Sequence, residues 1–144
     1  MREIRTEVTI AAAPELVWQI LTDFQAYSSW NPFIKRISGV AKAGAKLKLT
    51  IQPPESKPMQ FSPKCLAANP NREFRWLGHL LIPGLFDGEH IFELIPQEDS
   101  STLLIHREKF KGLLIPFFWK QLDNNTRKGF EKMNEALKNR AEAQ

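Results

Sequence analysis

The sequence predicts a single α+β domain in which a curved, seven-stranded antiparallel sheet wraps one long C-terminal helix. Three observations predict it. Residues 2–11 alternate with a period of two, six further strand candidates follow at short spacings between turn residues, and the last third carries a helical period. The chain has 144 residues with 42% hydrophobic, enough for one self-sufficient core and one domain over 1–144.

In the first element, Ile4, Thr6, Val8 and Ile10 share one face, and Glu3, Arg5, Glu7 and Thr9 the other, the pattern of a half-buried strand. Ala13-Pro14-Glu15 reads as a helix start, with proline at a first helical position and an acid beside it. Leu16, Val17, Ile20 and Leu21 then form an apolar helical face. The aromatic stretch Asp23–Phe33 predicts a second short helix, stopped at Asn31-Pro32 because a residue before proline avoids the helical region. The strand candidates are 34–40, 46–52, 59–67, 72–79, 87–96 and 101–110, and their short connections predict an antiparallel meander. Finally Trp119, Leu122, Thr126, Phe130, Met133 and Leu137 recur at steps of three and four, predicting one amphipathic helix over 117–141, about 37 Å long. It is the only element long enough to cover such a sheet.

Composition narrows the function classes. The net charge is +4, but Arg127, Lys128, Lys132, Lys138 and Arg140 alternate with Glu131, Glu135 and Glu142. That is a solvated helix face, so no nucleic-acid partner is expected. The one cysteine, Cys65, cannot form an intrachain disulfide and reads as a small core residue. No secretory leader and no 18-residue apolar run is read, so a cytoplasmic address without stable membrane insertion is expected.

Pairing across the last hairpins places Gly78 opposite Gly88, Trp76 opposite His90 and Phe74 opposite Phe92. It then places His90 beside Glu108, Phe92 beside His106 and Leu94 beside Leu104. One sheet face thus reads Phe74, Trp76, His90, Phe92, Leu94, Leu104, His106, Glu108, Phe110, and its aromatics mark it as the concave side. The expected ligand-binding set is Phe74, Trp76, His90, Phe92, His106, Glu108 and Phe110, with Leu122, Phe130 and Met133 from the helix. His90, His106 and Glu108 are either a polar anchor for a ligand head group, a structural pair, or a strand mouth open to water. An ionised Glu108 would raise the His90 pKa. The trio carries no metal signature and no nucleophile elbow accompanies it, so no catalytic residue, metal or cofactor is assigned.

Two connections are unusually apolar: Leu80-Leu81-Ile82-Pro83-Gly84-Leu85-Phe86 and Gly112-Leu113-Leu114-Ile115-Pro116-Phe117-Phe118. With the proline-rich 52–58 they fall at one end of a meander. Pro54, Pro83, Leu85, Phe86, Leu114 and Phe117 stand in these connections. The loops serve as a core plug, as a lid for an apolar ligand, or as a surface for dimerisation or transient membrane contact.

The same residues carry a resemblance. Val8-Thr9-Ile10 with Ala13-Pro14-Glu15-Leu16-Val17-Trp18 looks like the opening of the START-like, or helix-grip, superfamily, in its polyketide cyclase/dehydrase-type SRPBCC branch. Tyr27, Trp30-Asn31-Pro32 and Phe33 resemble its second helix. Arg75-Trp76, Pro83-Gly84-Leu85-Phe86 and Gly88-Glu89-His90-Ile91-Phe92 resemble its central hairpin. His106-Arg107-Glu108-Lys109-Phe110-Lys111-Gly112 and Gly129-Phe130, Met133-Asn134 and Leu137-Lys138 resemble its end. The resemblance implies the helix-grip fold, a curved sheet wrapped around the long helix over an internal apolar cavity, with Pro54, Pro83, Leu85, Phe86, Leu114 and Phe117 as the expected rim of the cavity mouth at the loop-rich end. It leaves three functions open: a carrier of a small hydrophobic molecule (lipid, isoprenoid, aromatic or polyketide-like), a cyclase/dehydratase-type enzyme using the His/Glu pair, or an accessory interaction protein with a filled core. Monomer and homodimer are both open.

Overall fold

The computed structural model describes residues 1–80 and 82–144; Leu81 of the first apolar loop lies outside the described residues. Strand β1 (Arg2–Ile10) leads into α1 (Pro14–Thr22), a 3-10 turn (Phe24–Ala26) and α2 (Tyr27–Trp30). Pro14 opens α1 as expected from its fixed φ and missing donor. Asn31 closes α2: its backbone is extended before Pro32, and its side-chain Oδ1 accepts from the amides of Phe33 and Ile34 at 2.9 Å each.

Strands β2 (Ile34–Ser38), β3 (Lys48–Ile51), β4 (Met59–Phe61), β5 (Lys64–Asn69), β6 (Glu73–Leu80), β7 (Phe86–Pro96) and β8 (Thr102–Lys111) follow. They form a five-stranded sheet ordered β1-β8-β7-β6-β5 and a three-stranded sheet ordered β2-β3-β4, every pairing antiparallel. Among the described residues the expected seven strands are thus eight. The run 59–67 is split at Pro63, which has no amide to give a ladder. The sheets stay joined there, because Leu47 N donates to the Pro63 carbonyl at 2.9 Å and Cys65 N to that of Ala45 at 2.8 Å.

The C-terminal helix also differs from expectation. It is α3 (Ile115–Gln121), a π-turn (Leu122–Thr126) and α4 (Arg127–Glu142) rather than one uninterrupted α-helix. Asp123, Asn124, Asn125 and Thr126 are weak helix formers whose side chains compete for backbone partners, and a widened turn is tolerated there. Beyond it, α4 docks on β1. Arg127 Nη1 donates to the Arg5 carbonyl at 3.0 Å, and Lys138 Nζ donates to that of Thr9 at 2.9 Å. A Cβ at Gly129 would overlap the Phe33 ring, so glycine is what lets α4 lie against Phe33 and stack Phe130 edge-on to it at 5.4 Å.

The hairpin register is the expected one: Gly78–Gly88, Trp76–His90, Phe74–Phe92, His90–Glu108, Phe92–His106 and Leu94–Leu104 face each other. Phe74, Trp76, Phe92, Leu94, Leu104 and Phe110 are buried on the concave side with Phe130, Met133 and Leu137, and Cys65 is a buried thiol in the same core. The convex face carries ion pairs across strands. Arg75 bridges Glu73 (2.7 Å) and Glu89 (2.6 Å), and Arg107 bridges Glu93 (2.8 Å) and Glu3 (2.9 Å). His79 lies on that side, 2.7 Å from Asp87.

Candidate ligand-binding site

The concave face is closed at one end and hollow at the other. Where Phe74, Phe92 and Leu94 project, they fill the space under the helix. Two rungs further along, the paired positions are Gly78 and Gly88, which project nothing. A cavity of about 470 Å³ begins there, a size suited to a small organic molecule. The two glycines act differently. A Cβ at Gly88 would overlap the Glu108 carboxylate, whereas one at Gly78 would make only an ordinary 3.5 Å contact with Pro63.

Of the expected binding residues, Trp76, His90, Glu108, Phe110 and Leu122 line the cavity. Phe74, Phe92, His106, Phe130 and Met133 do not. Each is buried in the packed core behind it, because the aromatics of the middle rungs stack on one another and leave no void. All three loop regions border the cavity, through Pro53 and Ser56, Leu80 and Phe86, and Leu114 and Phe118. Of the expected rim, Phe86 and Leu114 are on the wall. Pro54 and Phe117 yield their places to the adjacent Pro53 and Phe118, and Phe117 points out to solvent, 82% exposed. Pro83 is exposed and Leu85 half-buried, neither on the wall.

At the inner end of the cavity stands a chain of polar groups. Glu108 Oε1 lies 3.5 Å from His90 Nδ1, an ion-pair distance too long for a good hydrogen bond. His90 Nε2 is 2.7 Å from His106 Nε2, His106 Nδ1 is 2.7 Å from Asn134 Oδ1, and Asn134 Nδ2 donates to Thr6 Oγ1 at 2.9 Å. Thr6 Oγ1 donates to the His106 carbonyl at 2.8 Å and closes the network. His90 lies flat against Trp76, ring centres 4.6 Å apart, and His106 against Phe130 at 4.1 Å.

The electrostatics reverse the sequence expectation. An ionised Glu108 does not raise His90. Burial between aromatic rings pushes the His90 pKa down to about 3 and holds His106 well below its ordinary value, with neighbouring His90 adding to the effect. Burial likewise pushes the Glu108 carboxyl up to about 8. The reason is the missing counter-charge. Both imidazoles are neutral, and the other described residues lining the cavity are apolar or uncharged amides and hydroxyls. Below neutral pH the site is therefore a carboxylic acid beside a neutral imidazole.

A family model described as polyketide cyclase / dehydrase and lipid transport matches residues 1–142. The chain belongs to this family. No curated protein sequence matches it. Among solved structures, this family member is similar to a START superfamily protein from Mycobacterium smegmatis (23% identity, 98% of this chain and 97% of that one, TM-score 0.77). It is also similar to the Zhui aromatase/cyclase from Streptomyces sp. R1128 (16% identity, 98% and 93%, TM-score 0.79) and to norcoclaurine synthase from Thalictrum flavum (13% identity, 99% and 94%, TM-score 0.73). At these identities the likeness establishes the helix-grip fold. Among the described residues, no helix of this polyketide cyclase/dehydrase-family protein is long and apolar enough to cross a membrane.

Sequence reasoning missed two parts of the site. Leu49, Ile51, Met59 and Phe61 supply one wall from the small sheet, and Gln121 at the end of α3 with Asn125 and Thr126 of the π-turn supply polar groups. Short strands with few alternations give no dependable face assignment. Thr6 and Asn134 had a readable signal. Each is a lone polar residue on an otherwise apolar stripe: Ile4, Thr6, Val8, Ile10 on β1, and Phe130, Asn134, Leu137 on α4.

Proposed function

We propose that this protein binds and carries one small hydrophobic molecule in the cavity beneath its C-terminal helix. The observation that carries the reading is an apolar hollow of about 470 Å³ ending at His90 and Glu108. Burial of a ligand's apolar surface there supplies affinity at roughly 25 cal/mol per Å², and the polar end supplies orientation. Trp76, Phe110 and Leu122 are the proposed contacts, and the loops at the mouth are the proposed entry. Exposed Ile82 and Leu113 in those loops and Phe117 in the first turn of α3 offer apolar surface for transient contact with a membrane during delivery. The proposed setting is cytoplasmic, with the protein acting as monomer or homodimer. The hollow counts against an accessory protein with a filled core.

One observation favours a second reading, a cyclase- or dehydratase-type enzyme. A protonated Glu108 beside a neutral His90 pairs a general acid with a general base in a water-poor cavity. The aromatase/cyclase neighbour lends it fold-level analogy only.

Native mass spectrometry of gently purified protein tests the carrier reading. The expected result is a bound small molecule, or saturable uptake of an apolar dye that small aromatics displace. A protein that leaves the column empty and takes up no dye refutes it. Chemical change of the ligand on incubation would favour the enzyme.

A further inference from the structure

The polar chain behind the cavity has only one self-consistent arrangement of protons. Thr6 Oγ1 lies 2.8 Å from the His106 carbonyl, which can only accept, so the Thr6 hydroxyl proton goes there. Thr6 Oγ1 must then accept from Asn134, which fixes the Asn134 amide with Nδ2 toward Thr6 and Oδ1 toward His106. Oδ1 accepts, so His106 carries its proton on Nδ1 and turns a bare Nε2 toward His90. His90 must donate from Nε2. Its Nδ1 is left as a lone pair facing Glu108 at the end of the cavity.

Sequence and burial make the arrangement stable. Thr6, Asn134, His106 and His90 are all buried, so no solvent exchange relieves a wrong tautomer. Among the described residues, His90 and Glu108 are the titratable groups lining the cavity, and no lysine or arginine does. A ligand carboxylate would enter an apolar hollow with no counter-charge. A hydroxyl fits both ends: it donates to His90 Nδ1 and accepts from the Glu108 carboxylic acid.

We propose that the cavity selects uncharged ligands that present a hydroxyl, phenolic or alcoholic, to His90 Nδ1, and that Thr6 and Asn134 are the positioning residues that set this polarity. The proposal rests on the carrier reading and narrows its ligand class. It is tested with the full chain and three probes sharing one ring system, 2-naphthol, 2-methoxynaphthalene and 2-naphthoate, titrated at pH 6 by calorimetry. 2-Naphthol is expected to bind about tenfold or more tighter than either of the others, the worth of one buried hydrogen bond that the others cannot make. Nitrogen NMR of the histidines should show His90 protonated on Nε2 and bare on Nδ1. Thr6→Val frees the Asn134 amide to turn, so the preference for 2-naphthol over 2-methoxynaphthalene should collapse, whereas Thr6→Ser should keep it. Binding by none of the probes overturns the carrier reading and this inference together. Equal or tighter binding of 2-naphthoate or 2-methoxynaphthalene, or a His90 proton on Nδ1, overturns the inference alone.

Discussion

Replacing Glu108 with glutamine tests the central electrostatic feature, a carboxyl held neutral by burial. Glutamine keeps the size and hydrogen-bonding capacity of the protonated acid and removes its titration. In the folded protein the Glu108 pKa stands at about 8 against an ordinary 4.5. Between those values the folded state holds a proton that the unfolded chain has released, so wild-type stability falls as pH rises through the window and levels off above it. At about 1.4 kcal/mol per pH unit the ceiling is roughly 5 kcal/mol. Glu108 remains 18% exposed at the cavity wall, and water reaching it reduces the effect to about 2–3 kcal/mol. Urea denaturation of both proteins at pH 5, 7 and 9 reads this directly. Glu108→Gln should match wild type at pH 5 and exceed it by about 2–3 kcal/mol at pH 9. A stability difference that does not change with pH would mean that Glu108 is ionised in the fold, and the neutral-acid account would fail.

The histidines impose the opposite slope at lower pH. With His90 at about 3 and His106 well below 6.5, the unfolded chain takes up protons first, so stability should climb from pH 3 to 6.5 and peak near 6.5 before Glu108 turns it down; thermal melts across pH 4–9 check the position of the maximum. Gly88→Ala sets a Cβ against the end of the flexible Glu108 side chain, which must swing aside, and should destabilise by no more than about 1 kcal/mol, with the loss absent in a Gly88→Ala/Glu108→Ala double variant. Additive losses in that cycle would show that Gly88 is not there to accommodate Glu108.

The long β-hairpins were legible because alternation runs for many residues and the glycines at 78 and 88 pin the register. The His90–Glu108 adjacency followed from that register alone. Its protonation did not, since the sign depends on what else faces the pair, and residues from nine different elements line the hollow or back it. The split at Pro63 was available in the sequence, as was the weak helix run Asp123-Asn124-Asn125-Thr126, but a helical stripe that continues on both sides masks a turn one residue wider. On the concave face of the large sheet the expected binding set reached too far, just as it fell short on the small sheet. It took every aromatic on the concave face as cavity wall, whereas large side chains fill space and the hollow lies where they are missing.

That last point yields a prediction that separates cavity from fold. If the hollow exists because Gly78 and Gly88 project nothing, filling it from the tolerant side should abolish binding without unfolding the protein. Gly78 is the tolerant side: its backbone is regular strand, and an added Cβ meets only Pro63 at 3.5 Å. Gly78→Leu sends a side chain of about four carbons into the hollow, over Trp76 on the same strand face and toward Phe110 beyond Gly88. Burying that leucine adds apolar contact, and glycine in a strand interior is itself unfavourable, so stability should hold within about 1 kcal/mol or rise. Dye uptake should fall at least about tenfold, because the leucine takes volume that the ligand needs. Dye binding that survives Gly78→Leu in a protein of unchanged stability would place the ligand elsewhere, and the cavity would lose its claim to be the site.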